Sequence, residues 1–208
     1  MRPILFIGDS ITDAGRRGDP EGLGAGWVRI AAAALRERGD DRPVVNRGIS
    51  GDRVVDLRRR WVPDVIDHEP ELLTVYVGIN DTWRRYDSDD PTSAGDFEAD
   101  YRGILEQLQG DPALILVEPF VLPVTAEQER WHEDLDAKRA VVRALAVDFG
   151  AELVPLQSVL SAETARAGAE ALAGDGVHPT PLGSRLIAEA WLAAYDAEAR
   201  DGAASGSS

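Results

Sequence analysis

The residues best suited to nucleophilic chemistry in this sequence begin with Ser10, which follows a short apolar run. A serine hydroxyl becomes a nucleophile when a neighbouring base takes its proton. Taken alone, a serine between a strand and a helix is more simply explained as a helix N-cap. The segment also lacks the Gly-x-Ser-x-Gly pattern of an α/β-hydrolase nucleophile elbow, because Thr12 occupies the second glycine position.

Composition narrows the choice of a base. The chain has no cysteine, which removes thiol nucleophiles and thiolate metal ligands, and it has three histidines. His68 and His132 lie in patterns typical of helix ends and helices, which leaves His178. Asp175 precedes it by three residues and is suited to accept a hydrogen bond from Nδ1–H, which frees Nε2 as the base. A surface turn, or half of a metal site with few remaining ligands, stays open as an alternative.

Acyl transfer also requires hydrogen-bond donors for the developing oxyanion. Gly48 follows the second predicted strand, where a missing side chain lets a substrate approach the backbone N–H. Asn80 follows the third predicted strand and offers a side-chain amide. A turn glycine and an Asx turn explain each residue separately. The joint occurrence of serine, glycine, asparagine and histidine at strand ends and on the last loop favours one shared site.

The elements that would position these residues alternate along the chain. Short apolar runs, nearly continuous rather than alternating, are typical of strands covered on both faces. These predicted strands span 3–7, 43–45, 72–77, 113–117 and 152–154. Stretches with apolar residues at three- and four-residue spacing predict helices between them. These predicted helices span 27–38, 54–67, 97–108, 130–149 and 181–199.

Strand–helix alternation predicts an α/β fold with a parallel sheet between two helical layers. Ligands of such sheets bind beyond the carboxyl ends of the strands, where the candidate residues lie. At 208 residues one domain is expected, which we place at 1–200, followed by a small, polar and disordered tail at 201–208.

Charge and segment composition exclude several classes of partner. The 22 basic and 37 acidic residues give a net charge of −15, which argues against nucleic acid and anionic membranes. The sequence offers neither a signal-peptide pattern nor an apolar stretch of membrane-spanning length, so we expect a cytoplasmic protein without a membrane partner.

Four segments of the chain resemble the sequence blocks of the SGNH, or GDSL-type, serine esterases. The blocks carry Gly8-Asp9-Ser10, then Asn46-Arg47-Gly48, then Gly78-Ile79-Asn80-Asp81, and finally Asp175-Gly176-Val177-His178-Pro179. They occur in the family's order across nearly the whole chain. The resemblance implies a flavodoxin-like three-layer α/β/α sandwich with a five-stranded parallel sheet.

The same resemblance implies a role for each matching residue. Ser10 would be the nucleophile, His178 the general base and Asp175 its orienting partner. The oxyanion hole would consist of the Ser10 N–H, the Gly48 N–H and the Asn80 side chain. No cofactor or metal is implied.

Two further residues of the blocks are Asp9 and Asp81. They do not take part in the reaction that the resemblance implies. They are instead expected to hold the loops that carry the reacting groups. This role, like the others, rests on the similarity of the blocks.

Within the family, the chain is most similar to intracellular acetyl xylan esterases, which implies an acetylated oligosaccharide as substrate. We expect Trp83, Arg84 and Tyr86, on a predicted loop spanning 82–94, to bind the sugar, although an ordinary polar surface loop is equally consistent. Some of these relatives form rings, so a homo-oligomer remains open. A thioesterase, lysophospholipase or aryl esterase of the same family is an alternative function, as is a non-catalytic carbohydrate-binding protein or a nucleotide-binding flavodoxin-like protein.

Overall fold

A parallel five-stranded sheet forms the centre of the computed structural model, which describes the backbone of residues 1–205 and the side chains of residues 1–200. The strands lie in the order β2-β1-β3-β4-β5. They are β1 (Ile4–Gly8), β2 (Val44–Asn46), β3 (Leu72–Tyr76), β4 (Ala113–Val117) and β5 (Glu152–Val154). All five predicted strands are confirmed, with β1 and β2 shifted by one residue.

Helices cover both faces of the sheet, as the alternating pattern predicts. They are α1 (Ser10–Asp13), α2 (Trp27–Glu37), α3 (Val54–Asp64), α4 (Ile79–Asp87), α5 (Ala94–Leu105), α6 (Ala126–Glu129), α7 (Trp131–Asp148), α8 (Leu156–Ala167), α9 (Ala169–Leu172) and α10 (Pro181–Ser205). None of the helices in the described part of the chain combines the length and the apolarity that a membrane span requires.

Alternate residues of the strands supply two separate apolar layers. Phe6 of β1 faces α2 and α10, where its ring centroid lies 5.1 Å from that of Trp27 and 5.0 Å from that of Trp191. Leu5 of β1 faces the opposite layer, which α3, α5 and α7 cover. The Trp191 indole N–H donates to the buried Thr74 Oγ1 at 2.9 Å, which ties the last helix to the middle strand. The fold is therefore a three-layer sandwich.

Five helices were not predicted from the sequence: the short α1, α6 and α9, and the longer α4 and α8. The segment 82–94, expected to be a loop, begins within α4, which extends to Asp87. The first four residues of α4 are buried and include the polar Asn80, Asp81 and Thr82, so they give no apolar periodicity. In α8 only Leu156 and Leu160 are buried, so the apolar periodicity of this helix is weak as well.

The last helix also extends further than expected. Its backbone is helical to Ser205, so residues 201–205 are helical where we expected a disordered tail. Ala203 and Ala204 lie in this stretch, and alanine is the strongest helix former. Residues 206–208 of the predicted tail lie outside the described residues.

The carboxylate of an ion pair within α7 also fastens α4 to α7. The chain's single lysine, Lys138, is fully buried and contacts the Asp134 carboxylate through Nζ. The same carboxylate accepts hydrogen bonds from Thr82 Oγ1 at 2.7 Å and from an Arg85 nitrogen at 3.2 Å. Since Thr82 and Arg85 belong to α4, this cluster fixes the helix that also carries Asn80.

We expect Lys138→Met to lower the free energy of unfolding by about 2 kcal/mol, because the Asp134 carboxylate loses its buried cationic partner and keeps only the contacts from α4. Urea denaturation measures this change. Arg166→Met is the matched control, since it breaks the exposed Arg166–Glu163 pair on α8 and is expected to cost less than about 1 kcal/mol. Equal stability losses in the two variants would contradict the role given to the Lys138 pair.

Candidate active site

Three side chains predicted from the sequence form one chain of hydrogen bonds beyond the carboxyl end of β1. Ser10 Oγ lies 3.0 Å from His178 Nε2, and His178 Nδ1 lies 2.6 Å from Asp175 Oδ2. The order hydroxyl, imidazole and carboxylate is the arrangement in which a serine can lose its proton to a histidine. The other two histidines contact arginines elsewhere, His68 with Arg47 and His132 with Arg139.

The turn after β1 places Ser10 with its backbone N–H free. Gly8 ends the strand, and a Cβ there would lie 2.0 Å from the Tyr76 carbonyl oxygen, so the close approach requires glycine. Asp9 then caps α1 by accepting from the Ile11 N–H at 3.0 Å. Ser10 is the first residue of α1, where a helix provides no carbonyl partner for the N–H.

The loop before α10 positions the histidine through its aspartate. Asp175 Oδ1 accepts from the backbone N–H of Val177 at 3.0 Å and of His178 at 2.7 Å, while Oδ2 contacts the imidazole. Partial burial of the Asp175 carboxyl opposes its ionisation, but the hydrogen bonds from His178 and Val177 outweigh burial and lower its pKa. The carboxylate is therefore stable as an anion that orients the ring.

Asn80 lies beside the serine at the start of α4 and is nearly buried. Its Nδ2 donates to the Asp52 carbonyl at 3.0 Å. An amide nitrogen carries two hydrogens, so a second donor remains for a ligand. The sequence therefore identified this residue's location correctly, although it did not predict the helix that carries it.

The prediction that Gly48 contributes an N–H to this site is wrong. Its N–H donates to Asn46 Oδ1 at 2.8 Å, and the residue is buried against the backbone of Thr12 and Asp13. A Cβ at Gly48 would lie 2.2 Å from the Asp13 nitrogen, so glycine is required here for packing. The backbone of α1, rather than a substrate, makes the close approach to Gly48.

The glycine after β2 that lies beside Ser10 is Gly51 rather than Gly48. It lines a cleft together with Ser10, Asn80 and His178. Within the described part of the chain its N–H has no hydrogen-bond partner. Its φ of +89° favours glycine, but no sequence signal distinguishes it from Gly48, since both glycines follow β2.

The side chains expected to bind a sugar divide into two groups. Trp83 and Arg84 line the same cleft as Gly51, and the Trp83 ring centroid lies 6.0 Å from that of His178. Tyr86 lies elsewhere: its ring stacks on Trp131 at 5.6 Å and its hydroxyl donates to the Arg130 carbonyl at 3.0 Å. Tyr86 therefore lies outside the candidate site. Asp87, which pairs with Arg84, lines the cleft.

Comparison with known proteins identifies the family of the chain. The profile of the GDSL-like lipase/acylhydrolase family matches residues 6–186. The chain belongs to this family. It is thus a carboxylic ester hydrolase, and the SGNH resemblance of the four blocks is confirmed.

Named relatives of this GDSL family member are similar over nearly their full length. An acetylxylan esterase of Geobacillus stearothermophilus is 35% identical over 91% of both chains. The solved structure of the acetylxylan esterase Axe2 from that organism superposes with a TM-score of 0.83 at 33% identity, covering 93% of each chain. A Parabacteroides merdae protein assigned to the GDSL-like lipases gives a TM-score of 0.87 at 34% identity, covering 92% of this chain and 94% of that one.

Solved variants of Axe2 include catalytic mutants in which a serine, an aspartate or a histidine is replaced by alanine. In that protein the aspartate and histidine are three residues apart, as Asp175 and His178 are here. Axe2 has a tryptophan directly before that aspartate, whereas this chain has Gly174, where a Cβ would make only an ordinary contact of 4.0 Å with the Glu170 carbonyl oxygen.

Beneath the site of this GDSL hydrolase lie two buried carboxyl groups, Asp9 and Asp81. Each accepts one backbone hydrogen bond, from Ile11 and Val54 respectively, and each has a second oxygen without a partner in the described part of the chain. Burial raises the pKa of Asp9 to about 7 and that of Asp81 to about 7. Among the described residues, no three acidic or histidine side chains come together as a metal site would require.

These carboxyl groups predict a pH-dependent stability. Asp9 is protonated in both folded and unfolded chains at low pH, and between about pH 4 and 7 only the unfolded chain ionises, so wild-type stability falls as pH rises. The stability of Asp9→Asn relative to wild type should therefore rise over this range by up to about 1.4 kcal/mol per pH unit. Urea denaturation at several pH values measures the difference.

Asp40→Asn is the control for that series. The hydrogen bond from Arg42 lowers the pKa of Asp40 to about 2, so its ionisation is complete in both states above about pH 5. The stability difference between this variant and wild type should stay constant from pH 5 to pH 7. A constant difference for Asp9→Asn over the same range would contradict the raised pKa.

Proposed function

We propose that this GDSL hydrolase is a serine esterase that removes acetyl groups from oligosaccharides. The observation that carries the proposal is the continuous hydrogen-bonded series of Ser10, His178 and Asp175. The hydroxyl is within reach of a base, and the base is held by a carboxylate that stays ionised. This satisfies the geometric requirement for an activated serine nucleophile.

The reaction proceeds in two steps. Ser10 Oγ attacks the ester carbonyl carbon while His178 Nε2 takes the hydroxyl proton, and a tetrahedral intermediate forms. The bond to the alcohol oxygen then breaks, and the imidazolium returns the proton to the departing alcohol. Water, deprotonated by His178, attacks the resulting acyl-enzyme and releases the carboxylic acid and Ser10.

The negative charge of the intermediate needs donors that are already in place. The Ser10 N–H, the Gly51 N–H and the remaining hydrogen of the Asn80 amide are suited to this role. The first two have no partner in the described part of the chain, and the third belongs to a group fixed by Asp52. We therefore assign the oxyanion hole to these three groups, with Gly51 in place of Gly48.

The preference for a sugar rests on the cleft beside these donors. This cleft, of about 250 Å³, is lined by an indole, a guanidinium and a carboxylate from Trp83, Arg84 and Asp87. Aromatic faces bordered by charged hydrogen-bonding groups match the alternating apolar and hydroxyl surfaces of a sugar ring. The similarity to an acetylxylan esterase and to Axe2, described as an acetyl-xylooligosaccharide esterase, supports the same substrate class.

Replacement of the nucleophile tests the mechanism. Ser10→Ala should reduce acetate release from acetylated oligosaccharides and from p-nitrophenyl acetate by roughly ten-thousand-fold or more. A phosphonate should label the wild-type protein at Ser10 and leave the variant unlabelled. Ser158→Ala, an exposed serine on α8, is the matched control and should keep wild-type activity. Near wild-type activity in Ser10→Ala would exclude this mechanism.

Removal of one oxyanion donor tests the assignment of Asn80. Asn80→Ala should lower kcat by about a hundred- to a thousand-fold with little change in KM, because the amide stabilises charge that exists only in the transition state. Steady-state kinetics on p-nitrophenyl acetate separate the two constants. An increase in KM at unchanged kcat would instead make Asn80 a substrate-binding group.

A further inference from the structure

A second cleft opens on the other side of Ser10 and His178. It has a volume of about 240 Å³ and contains both of these residues in its wall. Apart from them and Ser184, the lining is apolar. The apolar lining residues are Ile11, Ala14, Ala25, Gly26, Pro179 and Pro181.

Small residues on the turn before α2 form one wall of this cleft. A Cβ at Gly26 would lie 2.7 Å from the Ala14 Cβ, and one at Gly24 would lie 2.5 Å from the Asp13 carbonyl oxygen. The Ala25 N–H donates to the Ala14 carbonyl at 2.9 Å, which fixes the backbone between them. Ala25 is exposed, so its side chain can change in size without a clash inside the protein.

The two clefts differ in chemistry and meet at the proposed nucleophile. Gly51 and Asn80 lie in the polar cleft, with Arg84 and Asp87. The apolar cleft is lined by no Asp, Glu, Lys or Arg side chain, and its only titratable group is the imidazole of the shared His178. In the tetrahedral intermediate the carbon bound to Ser10 carries three further substituents: the oxyanion, the acyl chain and the alcohol oxygen. The acyl chain and the alcohol oxygen must extend from it in different directions.

We propose that the apolar cleft binds the acyl chain of the ester, and that Ala25 sets the length of chain that fits. The proposal rests on the proposed function, in which Ser10 attacks the carbonyl carbon. A hydrocarbon chain has no hydrogen-bonding groups and matches the apolar lining, whereas a sugar alcohol matches the polar cleft. The acyl chain therefore extends from Ser10 toward Ala25 and Pro181.

The volume of this cleft sets an expected range of chain lengths. A water molecule occupies about 30 Å³ of liquid, so a cleft of about 240 Å³ has room for several methylene groups beside an acetyl methyl. Wild-type protein should thus hydrolyse butanoyl esters at a rate comparable with acetyl esters. Octanoyl esters, which extend beyond the cleft, should react more slowly.

Ala25→Leu is the direct test, because the larger side chain fills the cleft from its exposed wall. With p-nitrophenyl esters of two, four and eight carbons, kcat/KM for the butanoyl ester should fall at least about tenfold relative to the acetyl ester. Ala25→Val should give an intermediate change and provides a smaller substitution if the leucine variant folds poorly. Ala33→Leu, an exposed alanine on α2, is the matched control and should leave the ratio unchanged.

A second series separates acyl from alcohol recognition. Acetyl esters of different alcohols should show the same relative kcat/KM in Ala25→Leu as in wild type. If the variant changes the preference among alcohols and leaves the acyl ratio alone, the cleft binds the alcohol and the proposal is overturned. An unchanged acyl ratio with unchanged alcohol preference overturns it as well.

The outcomes also distinguish this proposal from the proposed function. Full activity in Ser10→Ala would remove the serine mechanism, whatever the chain-length ratios show. Loss of activity in Ser10→Ala together with an unaltered acyl ratio in Ala25→Leu would retain the esterase and reject the acyl cleft.

Discussion

The hydrogen bond between Ser10 Oγ and His178 Nε2 joins two residues that are 168 positions apart in the chain. It can form only if the end of β1 and the loop before α10 are both held in place. β1 is held between β2 and β3, and α10 is held by Trp191, which packs on Phe6 and donates to Thr74. The site therefore depends on the complete sandwich, since neither segment can create this geometry locally.

Burial gives three aspartates of this site different chemical properties. Asp175 is half exposed and receives several donors, so the pKa of its carboxyl is lowered and the group remains an anion. Asp9 and Asp81 are fully buried, with one backbone donor bonded to each side chain, and their pKa values rise to about 7. Only an ionised carboxylate orients an imidazolium, whereas a neutral carboxyl can shape a turn at low cost in desolvation.

The sequence predicted those features that depend on residue type and local pattern. Continuous apolar runs located the strands, and the scarcity of histidine together with Asp175 pointed to His178.

The choice between Gly48 and Gly51 could not be made from residue type and local pattern, because both are glycines after β2. It depends on which backbone N–H is already bonded, and Asn46 occupies that of Gly48. Helix α4 was not predicted for a related reason. Its buried polar residues are paired by tertiary contacts, such as that of Thr82 with Asp134, and the periodicity of the sequence does not show such contacts.

Because the two clefts share only Ser10 and His178, different residues would determine the specificity for each part of an ester. Ser10 and His178 belong to both clefts, whereas the remaining lining comes from different elements. The polar cleft is lined by α4 and the turn after β2, and the apolar cleft by α1, the turn before α2 and the start of α10. Under the proposed function, a substitution at Arg84 or Ala25 is therefore expected to change recognition of one part of an ester while the distances within the proposed triad stay the same.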